Sequence, residues 1–264
     1  MYNFNFHQPR SVDEALRALS AASNGTLMSG GMTLIPALKQ RLANPSDVIE
    51  LSQIADLNGI SESGGAIVIG ATTTHGEVAA SQTVHGKIPT LASLAEGIGD
   101  PQVRARGTIG GSIANNDPAA DYPAALVGLG ATVKTNKREI AADNFFTDLF
   151  ETALEEDEIV TAVSFPVPSQ AGYAKFANPA SRYAIVGVMA SQGPGGTRVA
   201  VTGAGPCVFR IAQMERALEG NFTPAAIDGI TVPADNLNSD IHASAEYRAH
   251  LIGVMAKRAV AGAG

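Results

Sequence analysis

The chain has 264 residues, a formal net charge of −7 and 45% hydrophobic residues. That is enough for one large or two modest domains with a buried core, and the acidic balance disfavours nucleic acid as a partner, because phosphate binding needs a basic footprint. A single cysteine, Cys207, excludes a disulfide framework, a thiolate iron–sulfur cluster and a cysteine-based zinc site within this chain.

Cys207 beside Val208 reads as a small buried filler. The N-terminal residues carry no basic region or apolar signal core, and no apolar run approaches the ~18 residues of a membrane span. The expectation is a soluble cytoplasmic protein with no transmembrane segment.

In chain order, Ser11-Val12-Asp13-Glu14 predicts a capping box opening a helix through about Ala22. Thr26-Leu27-Met28 reads as a short strand. A glycine pair follows, and then a helical pattern at Leu34, Ile35, Leu38 and Leu42, closed by Pro45. Asp47 to Leu51 is a strand, completing a β-α-β unit. Ala66 to Ala71 is an apolar strand, Thr74 caps a short helix through Ala80, and Pro89 to Glu96 is another helix. Arg106 to Ile109 reads as extended and leads into a second glycine pair. A helix is expected from Ala120 to Leu129, with a hairpin-like pair at Ala131–Lys134 and Glu139–Ala142, and a strand from Glu158 to Phe165. The Pro- and Gly-bearing stretch Pro166–Gly172 is the best domain boundary. Beyond it, strands at Tyr173–Phe176, Tyr183–Ala190 and Arg198–Thr202 are followed by helical patterns at Ala212–Leu218, Pro224–Ile227 and Ser244–Val260. The expected class is α+β, with a three-stranded antiparallel sheet and helices in the C-terminal part.

The two glycine pairs are the main chemical signal. One is Ser29-Gly30-Gly31-Met32-Thr33, followed by Leu34; the other is Thr108-Ile109-Gly110-Gly111-Ser112. Paired glycines let successive N–H groups approach an anion that a Cβ would obstruct. Two such loops point to a ligand with two phosphates, such as a dinucleotide. The spacing is not G-x-G-x-x-G and no G-x-x-x-x-G-K-[ST] stretch exists, so neither a Rossmann site nor a P-loop is expected.

The run from Ser29 to Pro45 resembles the first flavin-binding segment of the medium subunits of molybdenum hydroxylases, the family of aerobic carbon monoxide dehydrogenase and xanthine dehydrogenase. Gly99 to Asn115, continued by Asp117 to Tyr122 and Pro123, resembles their second segment. The resemblance extends over essentially the whole chain. It implies a two-part FAD-binding region of the vanillyl-alcohol-oxidase-like type, with subdomains at 1–56 and 57–168, and a smaller α+β domain at 169–264. It also implies non-covalent FAD held by Ser29, Gly30, Gly31, Met32, Thr33, Leu34, Thr108, Gly110, Gly111 and Ser112. Tyr183 matches the place of an aromatic that covers the flavin ring, and Lys175 a family basic position. Molybdenum cofactor and 2Fe-2S clusters are implied only on partners, a large and a small subunit respectively, in a dimer of heterotrimers. The chain would pass electrons from the iron–sulfur clusters through FAD to an outside acceptor; the alternative is a stand-alone FAD-dependent oxidase or dehydrogenase.

The remaining candidates are read from the residues themselves. Asp121, and less so Asp117, can accept from ligand hydroxyls or complement a helix dipole. Arg104 and Arg106 would share one face of an extended segment, and Lys39 and Arg41 sit on the far part of the first-loop helix, suited to surface or interface. His75 is read as either a helix-end residue or part of the flavin lining. Glu155 to Glu158 reads as a solvated turn. No group stands out for hydrolysis or acid–base catalysis.

Overall fold

The computed structural model describes all residues, 1–264. The first unit is a three-stranded sheet in the order β1-β3-β2, with β1 at Asn5–His7, β2 at Gly25–Met28 and β3 at Asp47–Glu50; both pairings are parallel. Helices α1 (Val12–Ala21) and α2 (Leu34–Lys39) make the crossovers. Ser11 caps α1 by accepting from the Glu14 N–H, but the Glu14 carboxylate accepts from Arg10 N–H, so the reciprocal half of the expected box falls one residue early. The helix after the first glycine pair is shorter than its apolar spacing suggests. It ends at Lys39, and Leu42 is fully outside the core at 78% exposure.

The second unit centres on a five-stranded antiparallel sheet in the order β4-β5-β10-β6-β7. Its strands are β4 (Ile60–Ser63), β5 (Ala66–Gly70), β6 (Thr132–Thr135), β7 (Glu139–Ala141) and β10 (Val160–Pro166). Between β5 and β6 lie α3 (His75–Ala80), α4 (Gln82–Lys87), α5 (Pro89–Glu96), α6 (Pro101–Arg106), α7 (Ile109–Asn115) and α8 (Tyr122–Leu129). Thr74 and Glu77 form a complete capping box at α3. The segment expected to be extended, Arg106 to Ile109, is instead the junction of two helices. Asp100 and Pro101 start α6 with a side-chain cap, and Thr108 caps α7 by accepting from Gly111 N–H. A small hairpin, β8 (Phe146–Asp148) and β9 (Glu151–Thr152), leads to β10.

The C-terminal sheet has four strands rather than three: β11 (Gln170–Ala177), β12 (Ala184–Gly193), β13 (Gly196–Thr202) and β14 (Phe209–Arg210). The added strand is two residues long, too short to show alternation in sequence. One face of this sheet packs on α9 (Ala212–Glu219) and α10 (Ala245–Ala261), with Val186, Val188, Met255 and Ala256 in the shared core. The other face packs on α8: Met189 and Ala200 join the core cluster of the second unit. The fully buried α8 is therefore the common layer between the two sheets. The chain just before α8, Asp117 to Asp121, is fastened to the ends of β12 and β13. Ala184 N–H donates to the Ala119 carbonyl, while Gly203 N–H and the Thr202 hydroxyl donate to the Pro118 carbonyl.

Cys207 is half-buried rather than a core filler, and burial pushes its thiol up, with the nearby Asp148 carboxylate adding to the shift. Glu158 departs from the expected solvated turn. Its side chain is inaccessible and accepts from Arg138, at 2.9 Å and 3.0 Å, and from the Thr135 hydroxyl at 2.7 Å. The bonds from Arg138 hold this carboxyl down at about 2.

Candidate functional site: a flavin cleft

A cleft of about 660 Å³ runs between the first sheet, the helix-rich segment of the second unit and the loop before β12. That is within the range of small-molecule and cofactor sites. All of Ser29, Gly30, Gly31, Met32, Thr33, Leu34, Thr108, Gly110, Gly111, Ser112, Asp121 and Tyr183 line it. Residues 79 positions apart meet at its centre, where the Thr108 hydroxyl donates to the Ser29 hydroxyl at 3.0 Å.

The two glycine loops differ in what they offer. In the second, every amide from Ile109 to Ser112 is already committed. Ile109 N–H donates to the Thr73 carbonyl, Gly110 N–H to the Ala71 carbonyl, Gly111 N–H to the Thr108 hydroxyl and Ser112 N–H to the Thr108 carbonyl. This loop is a wall stitched to the chain between β5 and α3. In the first loop, no hydrogen bond within the protein uses the N–H groups of Ser29 through Thr33. Successive unpaired amides beside a cleft form an anion-binding nest. The two loops therefore differ in their free donors: the amides of the first are unpaired within the protein and those of the second are paired.

The glycines are required for different reasons. A Cβ on Gly30 would stand 1.8 Å from the Arg106 carbonyl oxygen, and one on Gly110 would stand 2.6 Å from the Ala71 carbonyl oxygen, so both permit close packing of backbone on backbone. Gly31 has φ +74°, in the left-handed region. At Gly111 the neighbours are only the Thr108 hydroxyl and the Ser29 Cβ, and the residue is exposed to the cleft.

Arg104 and Arg106 do not share a face, and neither lines the cleft. Both lie on α6, and Arg104 donates to the carbonyls of Ile98 and Gly99. Arg41 stands over the Tyr2 ring, and Lys39 is exposed and does not line the cleft. Arg182 is the sole lysine or arginine lining the cleft. Beside the two glycine loops the lining offers amides and hydroxyls, with Arg182 its one cation.

His75 is buried and lines the cleft, stacked at a tilt 5.3 Å from Tyr122. Burial, with the Arg104 charge adding, lowers its pKa to about 4, so the ring is neutral near pH 7. Its Nδ1 and the Thr72 hydroxyl, which also belongs to the lining, have no partner within the protein. The Asp121 carboxylate lines the cleft and is already engaged within the protein. It accepts from the Tyr173 hydroxyl at 2.5 Å and pairs with Lys175 at 3.0 Å. Burial pushes Asp121 up, opposed by the Lys175 ammonium and the Tyr173 hydroxyl. Tyr183, 45% exposed, stands in the lining rather than in the core.

At the other end, the lining includes Thr26, Leu51, Leu154, Ile159 and Val160. In the sequence Thr26, Leu51, Ile159 and Val160 read as strand residues without a site role, and Leu154 carries no reading. Their only local signal is the apolar start of β10 directly after a turn.

Residues 2–168 match the family described as the FAD binding domain in molybdopterin dehydrogenase. The chain belongs to that family. FAD is its cofactor, and it is a medium-type FAD subunit of the molybdenum hydroxylase oxidoreductases. The flavoprotein is 34% identical to the carbon monoxide dehydrogenase medium chain of Hydrogenophaga pseudoflava, over 97% of this chain and 96% of the relative. It is 33% identical to the nicotine 6-hydroxylase medium subunit of Paenarthrobacter nicotinovorans, over 98% and 96% of the two chains. Among solved structures, a carbon monoxide dehydrogenase from Hydrogenophaga pseudoflava superposes with a TM-score of 0.89, covering 98% of this flavoprotein and 96% of that chain. Quinoline 2-oxidoreductase from Pseudomonas putida 86 gives 0.84 at 26% identity, covering 98% and 96%. No helix of the flavoprotein is long and apolar enough to cross a membrane.

Proposed function

We propose that this chain is the electron-transfer subunit of a cytoplasmic molybdenum hydroxylase complex, built with a large molybdenum-cofactor subunit and a small 2Fe-2S subunit as a dimer of heterotrimers. FAD bound in the cleft would take electrons from the iron–sulfur partner and deliver them to an external acceptor; that redox chemistry is the cofactor's. The observation that carries the reading is the run of unpaired amides from Ser29 to Thr33, set in a cleft that extends to Tyr183.

The residues have separable tasks. The amides of Ser29 to Thr33 hold the pyrophosphate, and the Ser29 and Ser112 hydroxyls supplement them. Gly110 and Gly111 let the second wall come close. Tyr183 covers one face of the ring and limits water there. Asp121, through Lys175 and Tyr173, fixes the junction between the cleft floor and the C-terminal sheet. In this reading residues 1–56 and 57–168 form the two FAD-binding subdomains, and 169–264 carries the ring-covering loop.

Relatives differ in the substrates their names declare, and no residue of the cleft chooses among them: substrate oxidation belongs to the large subunit. The test is purification of the full chain from its native host. A flavin spectrum, co-purifying subunits with molybdenum and iron, and flavin reduction that requires those subunits are the expected results. Flavin should be wholly released by acid precipitation, as the residue after the first glycine pair is Met32 and Cys207 lies outside the cleft lining. A chain that purifies alone and reduces its flavin directly with a small substrate would favour a stand-alone dehydrogenase.

A further inference from the structure

The loop Asn178–Tyr183 stands on one side of the cleft mouth, and the turn Gly97–Gly99 on the other; Ile98, Gly99, Ser181, Arg182 and Tyr183 all line the opening. The loop is closed on itself by Asn178. Its side-chain oxygen accepts from Ala180 and Ser181 N–H, its carbonyl accepts from Arg182 N–H, and its own N–H donates to the Tyr183 carbonyl. Arg182 has φ +63°, in the left-handed region that favours glycine. A long side chain there is conformationally costly, and such strain persists where the residue has a task. The one polar contact of the Arg182 side chain is across the mouth, where its Nη1 donates to the Gly99 carbonyl at 2.9 Å.

The turn it reaches is held by two other cations. Lys175 donates to the Gly97 carbonyl, and Arg104 to the carbonyls of Ile98 and Gly99. Lys175 is largely buried and Arg104 half-buried, whereas Arg182 is exposed. Lys175 and Arg104 fix the turn as part of the fold. The Arg182 contact alone ties the adjacent loop to it, and a single exposed hydrogen bond is the kind that opens locally without unfolding.

We propose that Arg182 is a positioning residue that clasps the cleft: its guanidinium holds the Asn178–Tyr183 loop against the Gly97–Gly99 turn, retains FAD and fixes Tyr183 over the ring-side end. Opening the clasp admits the cofactor and widens access for the external acceptor. The inference rests on the proposed FAD site.

The test uses the full chain with Arg182→Gly and Arg182→Lys. Glycine is at ease in the left-handed region, so Arg182→Gly should keep or raise the melting temperature of the apo chain. FAD should nevertheless dissociate about tenfold faster, as for loss of a hydrogen bond from a charged donor. Amide hydrogen exchange of residues 97–99 and 178–183 in the apo chain should quicken. Arg182→Lys, which keeps a cation able to reach the carbonyl, should recover part of the retention. Unchanged exchange and unchanged FAD release in Arg182→Gly would overturn the clasp, as would a parallel fall in melting temperature and FAD retention. A wild-type chain that takes up no FAD would instead sink the FAD site, and the exchange measurement on the apo chain would still judge the clasp.

Discussion

Gly30 lies so close to the backbone of Arg106 that a Cβ would stand 1.8 Å from its carbonyl oxygen. This places the donor loop of the first unit directly on the α6–α7 junction of the second, beside the Ser29–Thr108 hydroxyl pair. The cleft therefore exists only when the two units are packed together, and the missing Cβ of its first glycine serves that packing.

Gly30→Ala should destabilise the apo chain by about 1–3 kcal/mol, the cost of overpacking against backbone that cannot turn away, and should reduce FAD content as well. Gly111→Val should behave differently. Its side chain would enter the cleft, so FAD content should fall while the apo melting temperature changes much less. Equal melting temperatures for wild type and Gly30→Ala would show that the loops separate at little cost.

The Asp121–Lys175 pair is buried at the junction with the C-terminal sheet. Lys175→Met leaves the carboxylate unpaired in the interior and should cost about 3–5 kcal/mol in denaturant unfolding. Adding Asp121→Asn to that variant should restore much of the loss, because the uncompensated charge is gone. A double variant as unstable as the sum of the singles would mean that the two groups act independently.

His75 gives the chain a specific acid sensitivity. Its pKa is lowered from 6.5 to about 4 by burial, so the folded state holds the neutral ring while the unfolded chain takes up a proton below pH 6.5. The stabilising contribution is complete above about pH 6.5 and is lost as pH falls toward 4, by about 3 kcal/mol in total. His75→Gln should flatten the stability profile of the apo chain in that window. Acid sensitivity below about pH 4.5 should remain, since Glu158, held down at about 2 by Arg138, loses its contribution there.

Tyr183→Ala should leave FAD content nearly unchanged, because the amides of Ser29 to Thr33 are untouched. Flavin fluorescence should rise as quenching by the phenol is lost. Transfer to the external acceptor should change, whereas reduction of upstream iron–sulfur centres by substrate should not. Emission and acceptor kinetics identical to wild type would remove Tyr183 from the ring face.

The amino-acid order by itself determined the local pieces. Thr74 caps a short helix through Ala80 as read, with Glu77 completing a capping box there, Pro89 to Glu96 is a helix with the expected bounds, and both glycine pairs reach the cleft. These features depend on residues within a few positions of one another, where caps, periodicity and missing Cβ atoms act directly. Tertiary structure alone decided how the pieces are used. Whether a glycine-loop amide is free or spent depends on acceptors elsewhere in the fold, so two loops of similar sequence became one nest and one wall. Asp121 carries no mark of its partner, Lys175, 54 residues away, and the acidic run ending in Glu158 reads as solvated until Arg138 folds onto it. Contacts at such separations are set by how sheets and helices stack, and local periodicity holds no record of them.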